Sequence, residues 1–160
     1  MIHIYYGDGK GKTTAALGLA LRACGAGKKV AFYSFLKDNS SSERLAECEI
    51  AFYENPAKLP FLFNMSHAEK KSYALWAKNA VKDAFDNNAD VIVLDEFLDV
   101  LTLLGEDLER SLTFSADREY VITGHVRRDY LFERADYITR MVKERHPFDS
   151  GTAARRGIEY

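Results

Sequence analysis

The sequence predicts an α/β fold, a mostly parallel sheet with helices on both of its faces. Three observations lead there. Short apolar strand-like runs alternate with helical runs along the chain. A glycine-rich loop joins the first such strand to the first helix, and a later apolar run ends in two carboxylates, Asp95-Glu96. The last two features narrow the expectation to the three-layer fold of the P-loop NTPases, RecA-like in type.

Residues 1–6 are apolar and β-rich, as suits a buried parallel strand. The helix after Thr13, over 15–23, is apolar on nearly every face until Arg22, which predicts deep burial; Gly25 and Gly27 end it. Residues 30–35 form a second strand, followed by Leu36-Lys37-Asp38 and a polar loop over 39–42. A short helix over 43–47 and a third strand near 50–53 come next. The segment 55–65, with Pro56 and Pro60, is the least regular part of the chain. Ser66 and Glu69 have the spacing of a capping box. The helix they open carries Tyr73, Trp76, Ala77, Ala80, Val81 and Ala84 on one stripe, so Trp76 belongs to the core. Residues 91–94 are a fully apolar strand. A helix over 97–104 stops at Gly105, and another turn or two spans 106–112. A strand over 120–123 leads into Gly124-His125, a helix covers 128–135, and a last strand runs over 137–142. From Lys143 onward no periodicity is visible.

At 160 residues the chain is expected to be one domain, 1–160, without linker or repeat. A net charge of −2 argues against a general nucleic-acid-binding surface. Cys24 and Cys48 form no Cys-x-x-Cys pair and read as reduced structural thiols. No apolar run approaches the roughly 18 residues needed to span a bilayer, and the N-terminus lacks the basic region of a signal peptide. A cytoplasmic location, away from membranes, is expected.

The loop carries the chemistry. It reads Tyr6-Gly7-Asp8-Gly9-Lys10-Gly11-Lys12-Thr13-Thr14. Glycines let backbone N–H groups turn toward a phosphate, and the first helical turn adds its unpaired donors. Lys12 supplies a mobile charge and the Thr13 hydroxyl is placed to ligate magnesium. The usual motif has four residues between its first glycine and Gly-Lys-[Ser/Thr]. Here only Asp8, Gly9 and Lys10 intervene, which predicts a phosphate site in an altered register. Asp95-Glu96, at the C-terminal end of a parallel strand, lies where open α/β sheets bind ligands. Thr13 with Glu96, and Asp95 behind them, is the expected Mg2+ site, with a nucleoside triphosphate as ligand.

With these residues in place, the chain resembles the phosphate-loop ATP:corrinoid adenosyltransferases, the cob(I)alamin or cob(I)yrinic acid a,c-diamide adenosyltransferases. That family's Gly-Asn-Gly-Lys-Gly-Lys-Thr-Thr loop is similar to residues 7–14, with the same spacing. Its Phe-[Leu/Ile]-Lys resembles Phe35-Leu36-Lys37, its Leu-Asp-Glu resembles Leu94-Asp95-Glu96, and its Thr-Gly-Arg resembles Thr123-Gly124-His125. Its C-terminal signature resembles Arg145-His146-Pro147-Phe148-Asp149-Ser150-Gly151 and Gly157-Ile158-Glu159-Tyr160.

The resemblance implies transfer of 5′-deoxyadenosyl from ATP to cobalt(I) of a reduced corrinoid, with release of tripolyphosphate, in adenosylcobalamin biosynthesis or salvage. It implies a nucleotide held in reversed orientation by Gly7, Asp8, Gly9, Lys10, Gly11, Lys12, Thr13 and Thr14. Lys37 either faces the triphosphate or is solvated, and His125 stands at a further ATP position. Phe61 and Phe63, similar to the family's Phe-x-Trp, are implied to face the corrinoid. A flavoprotein reductant and a homodimer are implied as partners. No protein nucleophile is needed, because reduced cobalt is one; no Ser/His/Asp or Cys/His constellation is found.

Three departures stand out. His125 replaces the family's Arg, making the charge depend on pH, with Arg127 or Arg128 as candidate substitutes. Asp38 replaces a glycine. The family's longer members carry an N-terminal cover, so water exclusion is expected to come from elsewhere or to be poorer. His3 and His67 read as structural, His146 as a ligand contact or a tail anchor, and Arg155 and Arg156 as corrin contacts or solvated side chains.

Overall fold

The computed structural model describes residues 1–60 and 62–160. Six parallel strands build one sheet in the order β3-β2-β4-β5-β1-β6. They are β1 (Ile2–Tyr6), β2 (Val30–Ser34), β3 (Ile50–Phe52), β4 (Val91–Asp95), β5 (Glu119–Gly124) and β6 (Tyr137–Arg140). The register sets Ile4 opposite Ile122 and Phe32 opposite Val93.

Alternation along the strands divides the core in two. Val30, Phe32, Val91, Val93 and Val121 face α1 (Lys12–Gly25), while Ala31, Tyr33, Ile92, Leu94 and Ile122 face the other way. On that second face lie α2 (His67–Asp86) and α3 (Phe97–Leu104). The result is helix, sheet, helix, as the fold class required. Helix α4 (Glu106–Ser111) and the single turn α5 (Asp129–Phe132) complete the chain, with 3-10 turns at Ser42–Leu45, Leu62–Asn64 and Pro147–Ser150.

Local signals account for most boundaries. Ser66 accepts from the Glu69 N–H while the Glu69 carboxylate accepts from the Ser66 N–H, closing the capping box of α2. The α2 stripe buries Tyr73, Ala77, Ala80, Val81 and Ala84. Trp76 is half-buried at the core's edge, among Phe35, Tyr53 and Tyr73.

Four expectations need correction. Helix α1 buries only Ala16, Ala20 and Ala23 beside Lys12, and Leu21 is 60% exposed. One sheet face covers one helix face, and nothing is stacked above it; alanines let the two approach closely. The 43–47 helix is a 3-10 turn beginning at Ser42. The 128–135 helix shrinks to one turn, and β6 stops at Arg140 because Met141 leaves the sheet to meet the loop after β1. Cys24 and Cys48 are both free thiols. His3 stacks on Tyr137 and pairs with Glu119, a structural role as expected.

Candidate functional site

The C-terminal ends of β1, β2 and β4 open onto a cavity of about 770 Å3. Its walls include residues 8–14, Leu36, Lys37, Asp38, Glu96 and His125. The polar 40–43 segment, Leu59, Pro60, His146 and the terminal residues 157–160 close the remaining sides.

Packing by its neighbours shapes the loop. The Gly7 N–H donates to the Gly124 carbonyl at 3.1 Å, and the Gly9 N–H donates to the Met141 carbonyl at 2.9 Å. Gly7 has φ of 112°, and a Cβ there would lie 2.4 Å from the Met141 oxygen. At Gly9 a Cβ would meet the Met141 and Val142 carbonyl carbons at 2.8 Å. Both glycines are thus required by the chain leaving β6, quite apart from any ligand. Asp8 accepts from the Lys143 N–H at 3.4 Å. Backbone hydrogen bonds, its own and Lys143's, hold that carboxyl below the usual range. An anion at this place can offer a triphosphate only its backbone.

Lys12, the first residue of α1, is 7% exposed and curls back so that Nζ donates to the Gly9 carbonyl at 2.9 Å. Thr13 follows, and its hydroxyl donates to Asp95 (2.9 Å to Oδ1, 3.2 Å to Oδ2). Asp95 has no exposed surface and collects two further donors. The Thr123 hydroxyl lies at 2.7 Å and the Lys37 ammonium at 2.6 Å. Lys37 also donates to the Thr13 oxygen at 3.1 Å. Burial alone would lower the Lys37 pKa, but the charge and hydrogen bond of Asp95, helped by Glu96 and Glu43, hold it above the ordinary value. Lys37 is therefore engaged with the carboxylate while lining the cavity, rather than simply solvated.

Two backbone positions in this region are left-handed without being glycine. Leu36 has φ of 55°, with its N–H bound to the Tyr73 hydroxyl at 2.6 Å; Glu96 has φ of 58°, with its N–H bound to Thr123 Oγ1 at 2.9 Å. Each conformation costs about 1–2 kcal/mol for an L-residue. These hydrogen bonds hold the turns that aim Lys37 and Glu96 into the cavity.

Glu96 and Asp99 both meet His125. Nδ1 lies 3.5 Å from Glu96 and 3.3 Å from Asp99, and Asp99 also accepts the His125 backbone N–H at 2.7 Å. The Asp99 hydrogen bond first, then that of Glu96, raises the imidazole pKa to about 9 against opposing burial. His125 is thus a cation at neutral pH, equivalent in charge to arginine. Arg127 and Arg128 do not share that duty. Arg127 pairs with Asp129, Arg128 binds Glu109, Thr102 and the Leu98 carbonyl, and neither lines the cavity.

Phe63 is 80% exposed on the Leu62–Asn64 turn and does not stand among the residues lining the cavity. Phe61 lies outside the described residues. His146 lines the cavity and caps its own turn, Nδ1 accepting the Phe148 N–H. The tail folds over the loop: Lys10 Nζ donates to the Ile158 carbonyl at 2.8 Å, and the Ser42 hydroxyl donates to the Tyr160 oxygen at 2.9 Å. Arg155 pairs with Glu159 at 3.0 Å, an internal tail contact.

Asp99 was not singled out by motif reasoning as part of the site. Asp99 stands three residues after Glu96, one helical turn on, a spacing that brings both carboxylates to one side. The donor set Thr13, Asp95 and Glu96 consists of hard oxygens, which fits magnesium. Around that set the cavity brings Lys10, Lys12, Lys37 and His125 together with serine and threonine hydroxyls and the loop backbone, an arrangement able to bind a polyphosphate, while Leu17, Leu36, Leu59 and Pro60 add an apolar part to its wall. No helix among the described residues is long and apolar enough to cross a membrane.

Comparison with known proteins agrees with this chemistry. The family model described as "ATP:corrinoid adenosyltransferase BtuR/CobO/CobP" matches residues 1–160. The corrinoid adenosyltransferase of Escherichia coli K12 is 30% identical over 169 residues, spanning 100% of this chain and 85% of its own. That of Pseudomonas aeruginosa is 29% identical, covering 98% of this chain and 82% of its own. The corrinoid adenosyltransferase CobA of Salmonella typhimurium is 29% identical, covering 100% and 85%. The chain belongs to the ATP:corrinoid adenosyltransferase family, enzymes of adenosyl transfer in cobalamin metabolism.

Proposed function

We propose that this chain, acting as one unit over 1–160, joins the C5′ of ATP to the cobalt(I) of a reduced corrinoid and releases tripolyphosphate. The observation that carries the reading is the contracted loop, whose Lys12, Thr13 and helix start face a cavity that Lys10, Lys37 and His125 also line. In the proposed step the cobalt(I) electron pair forms the Co–C5′ bond. The C5′–O bond breaks, its electrons leave on the triphosphate, and cobalt ends formally as cobalt(III).

The protein's task is then to align and to neutralise. Backbone amides of residues 7–14 and the Lys12 ammonium receive the triphosphate, in an orientation reversed from that of ordinary ATPases. Protonated His125, steadied by Asp99, adds a fixed positive charge at the cavity wall. Thr13 and Glu96 would hold Mg2+, with Asp95 orienting the Thr13 hydroxyl from behind. Magnesium there would offset charge on the departing triphosphate. The 157–160 tail limits water over the loop. Phe63, an exposed aromatic ring, and Phe61 are the proposed corrinoid contacts, favouring a four-coordinate cobalt(II) that a separate reduced flavoprotein converts to cobalt(I). The active form is proposed to be a cytoplasmic homodimer.

The test is a spectral assay for Co–C bond formation from ATP and cobalamin. With chemically reduced cobalt(I), wild type and Phe63→Ala turn over and Lys12→Ala does not. With cobalt(II) and a reduced flavoprotein, Phe63→Ala fails as well. Turnover by Lys12→Ala at the wild-type rate would remove the loop from the mechanism.

A further inference from the structure

The Lys37 ammonium stands on the Thr13 oxygen proposed to ligate a divalent cation and on the Asp95 carboxylate behind it. It lies 3.1 Å from Thr13 Oγ1 and 2.6 Å from Asp95 Oδ2. Magnesium binds its oxygen ligands at about 2.0–2.1 Å in a near-octahedral shell. An ammonium and a divalent cation cannot share those oxygens, since both would lie within a few ångströms of each other with like charge. We infer that Lys37 and the metal are alternative occupants of the Thr13–Asp95 pair, so that metal loads only after a triphosphate has drawn Lys37 away. This deepens the adenosyl-transfer reading above and rests on it for the identity of the triphosphate.

Three features of the fold support an exchange. First, Asp95 is wholly buried, and because an unpaired buried carboxylate is strongly disfavoured, departure of one cation favours arrival of the other. The loop lysine does not serve that purpose, since Lys12 Nζ is turned onto the Gly9 carbonyl. Second, Lys37 is anchored at its root, and its tip, held by Asp95 and Thr13, borders the cavity. The Leu36 N–H bond to Tyr73 fixes the backbone just before it, while its own side chain is 29% exposed and lines the cavity. A four-carbon stem pivoting there can carry the ammonium from the carboxylate toward phosphate oxygens. Third, the Thr13 hydroxyl proton already points to Asp95, so its oxygen presents a lone pair to whichever cation occupies the position. Lys37 is therefore a positioning residue with two stations, and it orders the loading of the site.

Manganese(II) binding to the protein without nucleotide, followed through the EPR signal of the free aquo ion, tests this. Lys37→Met and Lys37→Gln should each bind one Mn2+ at least about tenfold more tightly than wild type, a modest gain for removing a unit charge a few ångströms away. Adding Asp95→Asn to either variant should abolish the gain. Circular dichroism establishes which variants are folded, and Lys37→Gln, which keeps a hydrogen-bond donor for Asp95, guards against collapse of Lys37→Met. If the folded variants bind Mn2+ no more tightly than wild type, the exchange is overturned. In that event, formation of adenosylated corrinoid by wild type would leave the adenosyl-transfer reading standing. Absence of that product from wild type would overturn the reading itself, whatever manganese does.

Discussion

Replacing Asp95 with asparagine isolates the buried charge at the centre of the site. The carboxylate has no exposed surface and accepts from Thr13, Thr123 and Lys37. Asparagine keeps the volume but turns one acceptor into a donor, which then faces a hydroxyl or an ammonium. Removing one partner of a buried ion pair typically costs about 3–5 kcal/mol. Lys37 retains 29% side-chain exposure and can swing out to water, so the cost falls at or below the bottom of that range, about 2–3 kcal/mol. For a chain of this size that corresponds to a fall in Tm of about 4–12 °C. Urea unfolding followed by circular dichroism measures it directly. A double-mutant cycle with Lys37→Met should show a coupling of about 1–2 kcal/mol, because the second change removes a charge already left unpaired. Stability of Asp95→Asn within about 0.5 kcal/mol of wild type, or strict additivity in the cycle, would refute the account of how this carboxylate is held.

Other perturbations probe the neighbouring contacts. The His125 pKa is raised from 6.5 to about 9, so its pairing with Asp99 and Glu96 stabilises the fold fully below pH 6.5. That contribution is lost as pH rises toward about 9. The Tm difference between wild type and His125→Gln should therefore shrink over that window, and a difference constant from pH 6 to 10 would contradict the assignment. Gly9→Ala places a Cβ 2.8 Å from the Met141 and Val142 backbone. A loss of about 1–3 kcal/mol in urea unfolding, with ATP binding impaired, is expected. Lys10→Met removes the bond to the Ile158 carbonyl, and hydrogen exchange over 153–160 should accelerate while the sheet keeps its protection.

The parts legible in the sequence were those whose cause is local. The capping box of Ser66 and Glu69 needs only a three-residue spacing, and the apolar run before Asp95 needs only its composition. The loop was recognisable for the same reason, being one strand, a few glycines and a helix start. What stayed hidden depends on residues far apart in the chain. Nothing near Lys37 in sequence indicates that Asp95 holds it, and nothing near Gly7 or Gly9 announces that Met141 packs against them. The early end of β6 has that same origin. For α1, the run of apolar residues gave no clue that only one sheet face would cover it, leaving Leu21 exposed. His125 shows the limit in another form. Its substitution for arginine reads as a weakened charge until Asp99, one turn beyond Glu96, is seen to hold it protonated.

The most direct measurement is the identity of the phosphate product. Phosphorus NMR on wild-type protein with ATP, Mg2+ and chemically reduced cobalamin should show tripolyphosphate, equal in amount to the adenosylated corrinoid formed. Orthophosphate with ADP, and no cobalt–carbon bond, would mean that the loop presents the terminal phosphorus of ATP and not its sugar carbon.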